Sequence, residues 1–133
     1  MSSTSFHCVI GDDDFLVRQR AQEFFEQFLE KFPDDLSREV IDGRADRVDD
    51  AERILREAKA AAGTLSLFGG GKLVWLNEIN FLNMSKTGSA QGSKAALEEC
   101  KPFLENLGES IVILSACPVH RSHGFIKWMQ QAS

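Results

Sequence analysis

Chemistry in this chain would have to come from its glycine-flanked acidic and basic clusters, its histidines or its cysteines, and residue type and spacing test each. Gly11-Asp12-Asp13-Asp14 stands between an apolar run and a helical pattern, where a phosphate loop would lie. A loop of the form GxxxxGK[ST] needs glycines that let backbone N–H groups reach the phosphates and a lysine to meet them; aspartates at this place repel phosphate. Gly69-Gly70-Gly71-Lys72 has the lysine, but Leu73 follows instead of Ser or Thr, and the segment leads into a strand rather than a helix. Nucleotide binding at either place is therefore not expected, and the simplest role for Asp12, Asp13 and Asp14 is to cap a helix and favour its positive end. His7, His120 and His123 have no G-x-S-x-G or metal-ligand spacing beside them, and His120-Arg121-Ser122-His123 reads as a solvated loop. Cys8, Cys100 and Cys117 are far apart with no CxxC pair, which points to free, buried thiols rather than a disulfide framework or a zinc site. No cofactor, metal or catalytic residue follows from these groups.

The elements that must position them alternate. Phe6 to Ile10 is a short apolar run closed by Gly11 and reads as a first strand. In the helix that follows, Val17, Ala21, Phe24, Phe25, Phe28 and Phe32 recur at steps of three and four until Pro33, so four phenylalanines share one core-facing stripe. Arg38 to Asp42 reads as a less apolar strand near a sheet edge. Asp46 is the candidate cap of a second helix with the stripe Val48, Ala51, Ile54, Leu55, Ala58 and Ala62, ending at Gly63. Leu73 to Leu76 is a third strand, apolar throughout as central parallel strands are. Ser85 to Ser93 has linker composition and reads as a flexible loop. Ala96, Leu97, Cys100, Phe103, Leu104 and Leu107 make a third helical stripe that Pro102 should kink or divide. Ser110 to Ala116 is the clearest strand, central in the sheet, and Gly124 to Gln131 reads as a last helix. The order βαβαβαβα predicts an α/β fold, a parallel sheet with helices on both faces.

With 133 residues the chain has the size of one domain; 43% hydrophobic against 26% charged residues describes a globular protein. A net charge of −5 argues against gripping nucleic acid by its phosphates, so any contact with DNA is expected to be indirect. No apolar run approaches the ~18 residues that span a bilayer. Met1-Ser2-Ser3-Thr4-Ser5 begins no secretory signal, and a cytoplasmic protein is expected.

One stretch fits poorly with burial alone. Leu65, Leu67 and Phe68 lie between the helix stop at Gly63 and the flexible Gly70-Gly71, where chains usually show polar residues to water. Either they fold back onto the core, or a partner covers them. A reading from the aspartates is also open: a receiver-like signalling domain binding a divalent metal through Asp12, Asp13 and Asp14. Such a domain should end its third strand in a phosphorylatable aspartate, but Asn77 follows Leu76 and Glu78 comes one place late.

Taken together, Gly11-Asp12-Asp13-Asp14-Phe15-Leu16 after a strand, Thr64-Leu65-Ser66-Leu67-Phe68-Gly69 before another, and Leu73-Val74-Trp75-Leu76-Asn77-Glu78 resemble the N-terminal domain of the delta subunit of the bacterial DNA polymerase III clamp loader. In that family G-(D/E/N)-(D/E)-x-(F/L)-L replaces the phosphate loop, and S-L-F precedes the third strand. Asn77 here stands where a Walker B aspartate would be. The resemblance covers nearly the whole chain. It implies a three-layer AAA+-like, P-loop-like fold with a degenerate phosphate loop, and a function in DNA replication: binding and opening the sliding clamp without ATP hydrolysis. By itself such a domain is no enzyme, although the full subunit belongs to the polymerase III holoenzyme. The implied clamp-binding residues are Leu67 and Phe68, with Leu65 in support. Family members continue into lid and collar domains that meet the other clamp-loader subunits. These are absent from residues 1–133, as is the last strand of the first domain, so a truncated domain is expected, with Phe6 to Ile10 as an open edge prone to self-association.

Overall fold

A computed structural model describes residues 5–63, 71–82, 90–117, 119–120 and 123–132. Its elements run β1 (Phe6–Ile10), α1 (Asp14–Phe28), β2 (Arg38–Asp42), α2 (Val48–Gly63), β3 (Leu73–Ile79), α3 (Gln91–Glu105), β4 (Ile111–Ala116) and α4 (Gly124–Ala132), with short 3-10 turns at Leu29–Lys31 and Asp35–Ser37. The strands form one parallel sheet in the order β1-β4-β3-β2. β4 and β3 are central, β1 and β2 form the edges among the described residues, and the most apolar strands therefore take the positions buried on both faces.

Alternation along the strands divides the core in two. Ile111 and Ile113 of β4, with Leu73 and Trp75 of β3 and Val9 of β1, meet Val17, Ala21 and Phe28 of α1. Val112, Leu114 and Ala116, with Val74 and Leu76, meet the other face, where Ile54, Leu55 and Ala58 of α2, Leu97 and Leu104 of α3, and Ile126 and Met129 of α4 pack. The fold is thus α/β in three layers and P-loop-like, as expected. Each fully buried leucine or isoleucine of these layers contributes about 1.5–3 kcal/mol. The order also removes the receiver-like reading. Receiver domains follow the order 2-1-3-4-5, with the first strand between the second and third, whereas here β2 and β3 are neighbours and β1 lies beside β4.

Several local expectations change. β3 continues through Ile79, beyond the expected end at Leu76, because Asn77 and Glu78 form a bulge: Leu76 is level with Leu114, but Ile79 with Ala116. Of the loop expected over Ser85 to Ser93, residues 85–89 lie outside the described residues; α3 begins at Gln91, and Ser93 is a fully buried helical residue. Pro102 lies inside an unbroken α3. Phe24 and Phe25 are only half-buried, while Phe28 and Phe32 reach the core. At the start of α2 the carboxylate that accepts from the leading backbone N–H groups is Asp50's, which takes those of Asp46 and Arg47 at 3.1 Å each. His123, only 4% exposed, is no solvated loop residue: its Nδ1 accepts from the N–H of Phe125 at 3.3 Å, at the start of α4. Cys100 is buried, whereas Cys8 and Cys117 are half-buried. Burial pushes the Cys100 thiol up to about 11. No described helix is long and apolar enough to cross a membrane.

Candidate functional site

In a parallel sheet with helices on both faces, ligand sites form at the carboxyl ends of the strands. Among the described residues, several polar groups at that end bond to the protein's own chain. Asp13 is the N-cap of α1, and its Oδ1 accepts from the N–H groups of Phe15 at 3.0 Å and Leu16 at 3.2 Å. Asp14 lies 3.7 Å from Arg18 one turn on. The helix N-terminus that would cradle a phosphate is therefore capped by a carboxylate of its own. Phe15 and Leu16, which follow the cap, are 64% and 58% exposed.

At the end of β3 the groups are equally committed. Trp75 Nε1 donates to Ser115 Oγ at 3.0 Å, and that hydroxyl lies 3.3 Å from Asn77 Oδ1. Glu78, with φ 60°, occupies the left-handed region that side chains seldom adopt. Arg18 and Arg44 each stand 3.5 Å from its carboxylate. Arg44 also holds Asp42, with Nε 3.1 Å from Oδ1 and Nη2 2.9 Å from Oδ2, and this keeps the Asp42 carboxyl below its ordinary range. The backbone N–H of Gly43 donates to the Asn77 carbonyl at 2.6 Å, and that of Ala45 to Asn80 Oδ1 at 2.9 Å. These contacts seat the β2–α2 connection on the bulge of β3. The Glu78 carboxylate is thus flanked by two arginines, as in an ion-pair network at the surface. Among the described residues no group of three His, Cys, Asp or Glu side chains could hold a metal ion.

Leu65, Leu67 and Phe68 lie outside the described residues. The structure does show the ends between which they are strung. α2 runs to Gly63, and the chain is described again from Gly71, two residues before β3. Gly71 lies so close to β4 that a Cβ there would come within 2.2 Å of the Ser110 nitrogen. Sequence reasoning missed the pairing of Arg18 and Arg44 with Glu78. Arg18 and Glu78 are 60 positions apart, and no local pattern marks them.

A family model described as DNA polymerase III, delta subunit, matches residues 7–133. The chain belongs to the DNA polymerase III delta-subunit family. Membership covers both the acidic segment after β1 and the Leu65–Phe68 stretch, and it gives the chain its setting, DNA replication. None of the curated proteins and none of the solved structures compared matches the chain.

Proposed function

We propose that this chain is the AAA+-like N-terminal domain of a delta subunit, which binds and opens the sliding clamp mechanically and works without ATP. The observation that carries this reading is family membership over residues 7–133 joined to a strand end whose phosphate-loop position is occupied by the Asp13 cap. Leu67 and Phe68 are the anchor, with Leu65 beside them. Burying two such side chains contributes on the order of 3–6 kcal/mol before the costs of association, and an aliphatic-aromatic pair of this kind makes a binding hot spot. Other clamp-loader subunits would be met through further domains, and DNA only through those partners, in keeping with the net charge of −5. The setting of such a protein is the cytoplasm.

Titration calorimetry of the chain with the sliding clamp of the same organism tests this. Binding by the parent, lost in Leu67→Ala with Phe68→Ala, is expected; failure of the parent to bind would remove the clamp reading and leave the family assignment standing.

A further inference from the structure

The stems of the 64–70 segment meet at one buried side chain. Ser110, 3% exposed, stands at the entrance to β4. Its hydroxyl donates to the carbonyl oxygen of Ala62 at 2.9 Å and accepts from the backbone N–H of Lys72 at 3.0 Å. Ala62 belongs to the last turn of α2, where carbonyls lack helical partners. Lys72 is the residue before β3, and its own carbonyl accepts from the N–H of Ile111 at 2.9 Å. Ser110 is itself held, its N–H donating to the Leu107 carbonyl at 3.0 Å across the turn that Gly108 makes at φ 62°. Gly71 lies against the same backbone, with room for no side chain. A single hydroxyl thus ties the residue leaving α2 to the residue entering β3, ten positions later in sequence.

We infer that Ser110 is a positioning residue for clamp binding. It touches no partner; it fixes both ends of the segment that carries Leu67 and Phe68, so that the anchor leaves the domain from one defined place. This rests on the clamp reading above. Fixing the ends of a short segment removes conformational freedom that association would otherwise have to remove, and the gain appears as affinity without any new contact. Alanine at Ser110 would leave the Lys72 N–H and the Ala62 carbonyl without this partner. At the Lys72 end the bond from the Ile111 N–H to the Lys72 carbonyl would remain.

The test compares clamp affinity by titration calorimetry for the parent, Ser110→Ala, Ser110→Cys and Met129→Ala. Amide hydrogen exchange is followed at Lys72 and Ile113. Met129 is fully buried in the α4 layer, so its truncation lowers stability with the Ser110 tie in place. Ser110→Ala is expected to bind about tenfold more weakly, the equivalent of ordering one backbone residue, with faster exchange at Lys72 and unchanged exchange at Ile113. Ser110→Cys, which keeps a weaker donor and acceptor, should fall between parent and Ser110→Ala. Met129→Ala should bind as the parent does. Parent-like affinity in both Ser110 variants, or an equal loss in Met129→Ala, overturns the inference while the clamp reading stands. A parent chain that does not bind the clamp removes both.

Discussion

Alanine at Gly71 and alanine at Gly63 are the same chemical change at the two ends of one segment, and the structure gives them opposite signs. At Gly71 the added Cβ would lie 2.2 Å from the Ser110 nitrogen, 2.4 Å from the Glu109 carbonyl carbon and 2.5 Å from the Ser110 Cα, all backbone atoms that no rotamer change can move. The start of β3 would have to draw back from β4. That strains the donation from Lys72 N–H to Ser110 Oγ and from Ile111 N–H to the Lys72 carbonyl. Overpacking costs about 1–3 kcal/mol, and two weakened hydrogen bonds add about 1 kcal/mol each, so Gly71→Ala should lose about 3–5 kcal/mol. At Gly63 nothing lies within 4 Å of the added Cβ, and the residue is helical. Gly63→Ala should gain about 0.5–1 kcal/mol from the smaller backbone freedom of the unfolded chain. Urea unfolding followed by the fluorescence of Trp75 and Trp128 reads both. With a slope of about 2 kcal/mol per molar, the Gly71 variant's midpoint should fall by on the order of 2 M and the Gly63 variant's should rise slightly. A Gly71→Ala protein with the parent's midpoint would refute the close approach of β3 to Ser110.

Two further outcomes follow from single groups. Asp13→Ala should cost about 1 kcal/mol in the same unfolding experiment, the worth of an N-cap, and magnesium should leave the parent's midpoint where it is; a magnesium-dependent gain lost in Asp13→Ala would mean that the aspartates hold a metal after all. The buried Cys100 thiol has its folded value raised from 9.0 to about 11, so the native state keeps a proton that the unfolded chain releases first. Its contribution is complete below pH 9.0 and disappears as pH rises towards 11, a loss on the order of 3 kcal/mol at most; Cys100→Ala should remove that part of the alkaline loss, and an identical alkaline profile in parent and variant would contradict it.

The fold was legible because its signals are local and agree with one another. Uninterrupted apolar runs marked β3 and β4 as central strands, and steps of three and four marked the buried stripes of α1 and α2, down to Val17, Ala21, Ile54 and Ala58. The degenerate phosphate loop was legible for the same reason, since Asp13 caps its own helix two and three residues on. What stayed hidden depends on contacts distant in sequence. Glu78 has a left-handed backbone, and Arg18 and Arg44 converge on its carboxylate from α1 and the β2–α2 connection. The bulge it forms let β3 run past Leu76. Ser93 looked like linker because its neighbours are small and polar, yet it lies in the first turn of a helix packed so closely on α2 that a Cβ at Gly92 would come within 2.7 Å of Val48 and Glu52. His123 likewise sat in a polar tetrapeptide, yet it is buried and its Nδ1 accepts from the N–H of Phe125.

The most direct test of the clamp reading is the ratio of clamp affinities between the parent chain and the Leu67→Ala, Phe68→Ala double variant, taken together with the unfolding midpoint of each. The account predicts a loss on the order of a hundredfold or more, as befits 3–6 kcal/mol of gross burial, with the midpoint little changed. Equal affinities would contradict it, and so would a midpoint lowered by several kcal/mol, because that is how core side chains behave when truncated.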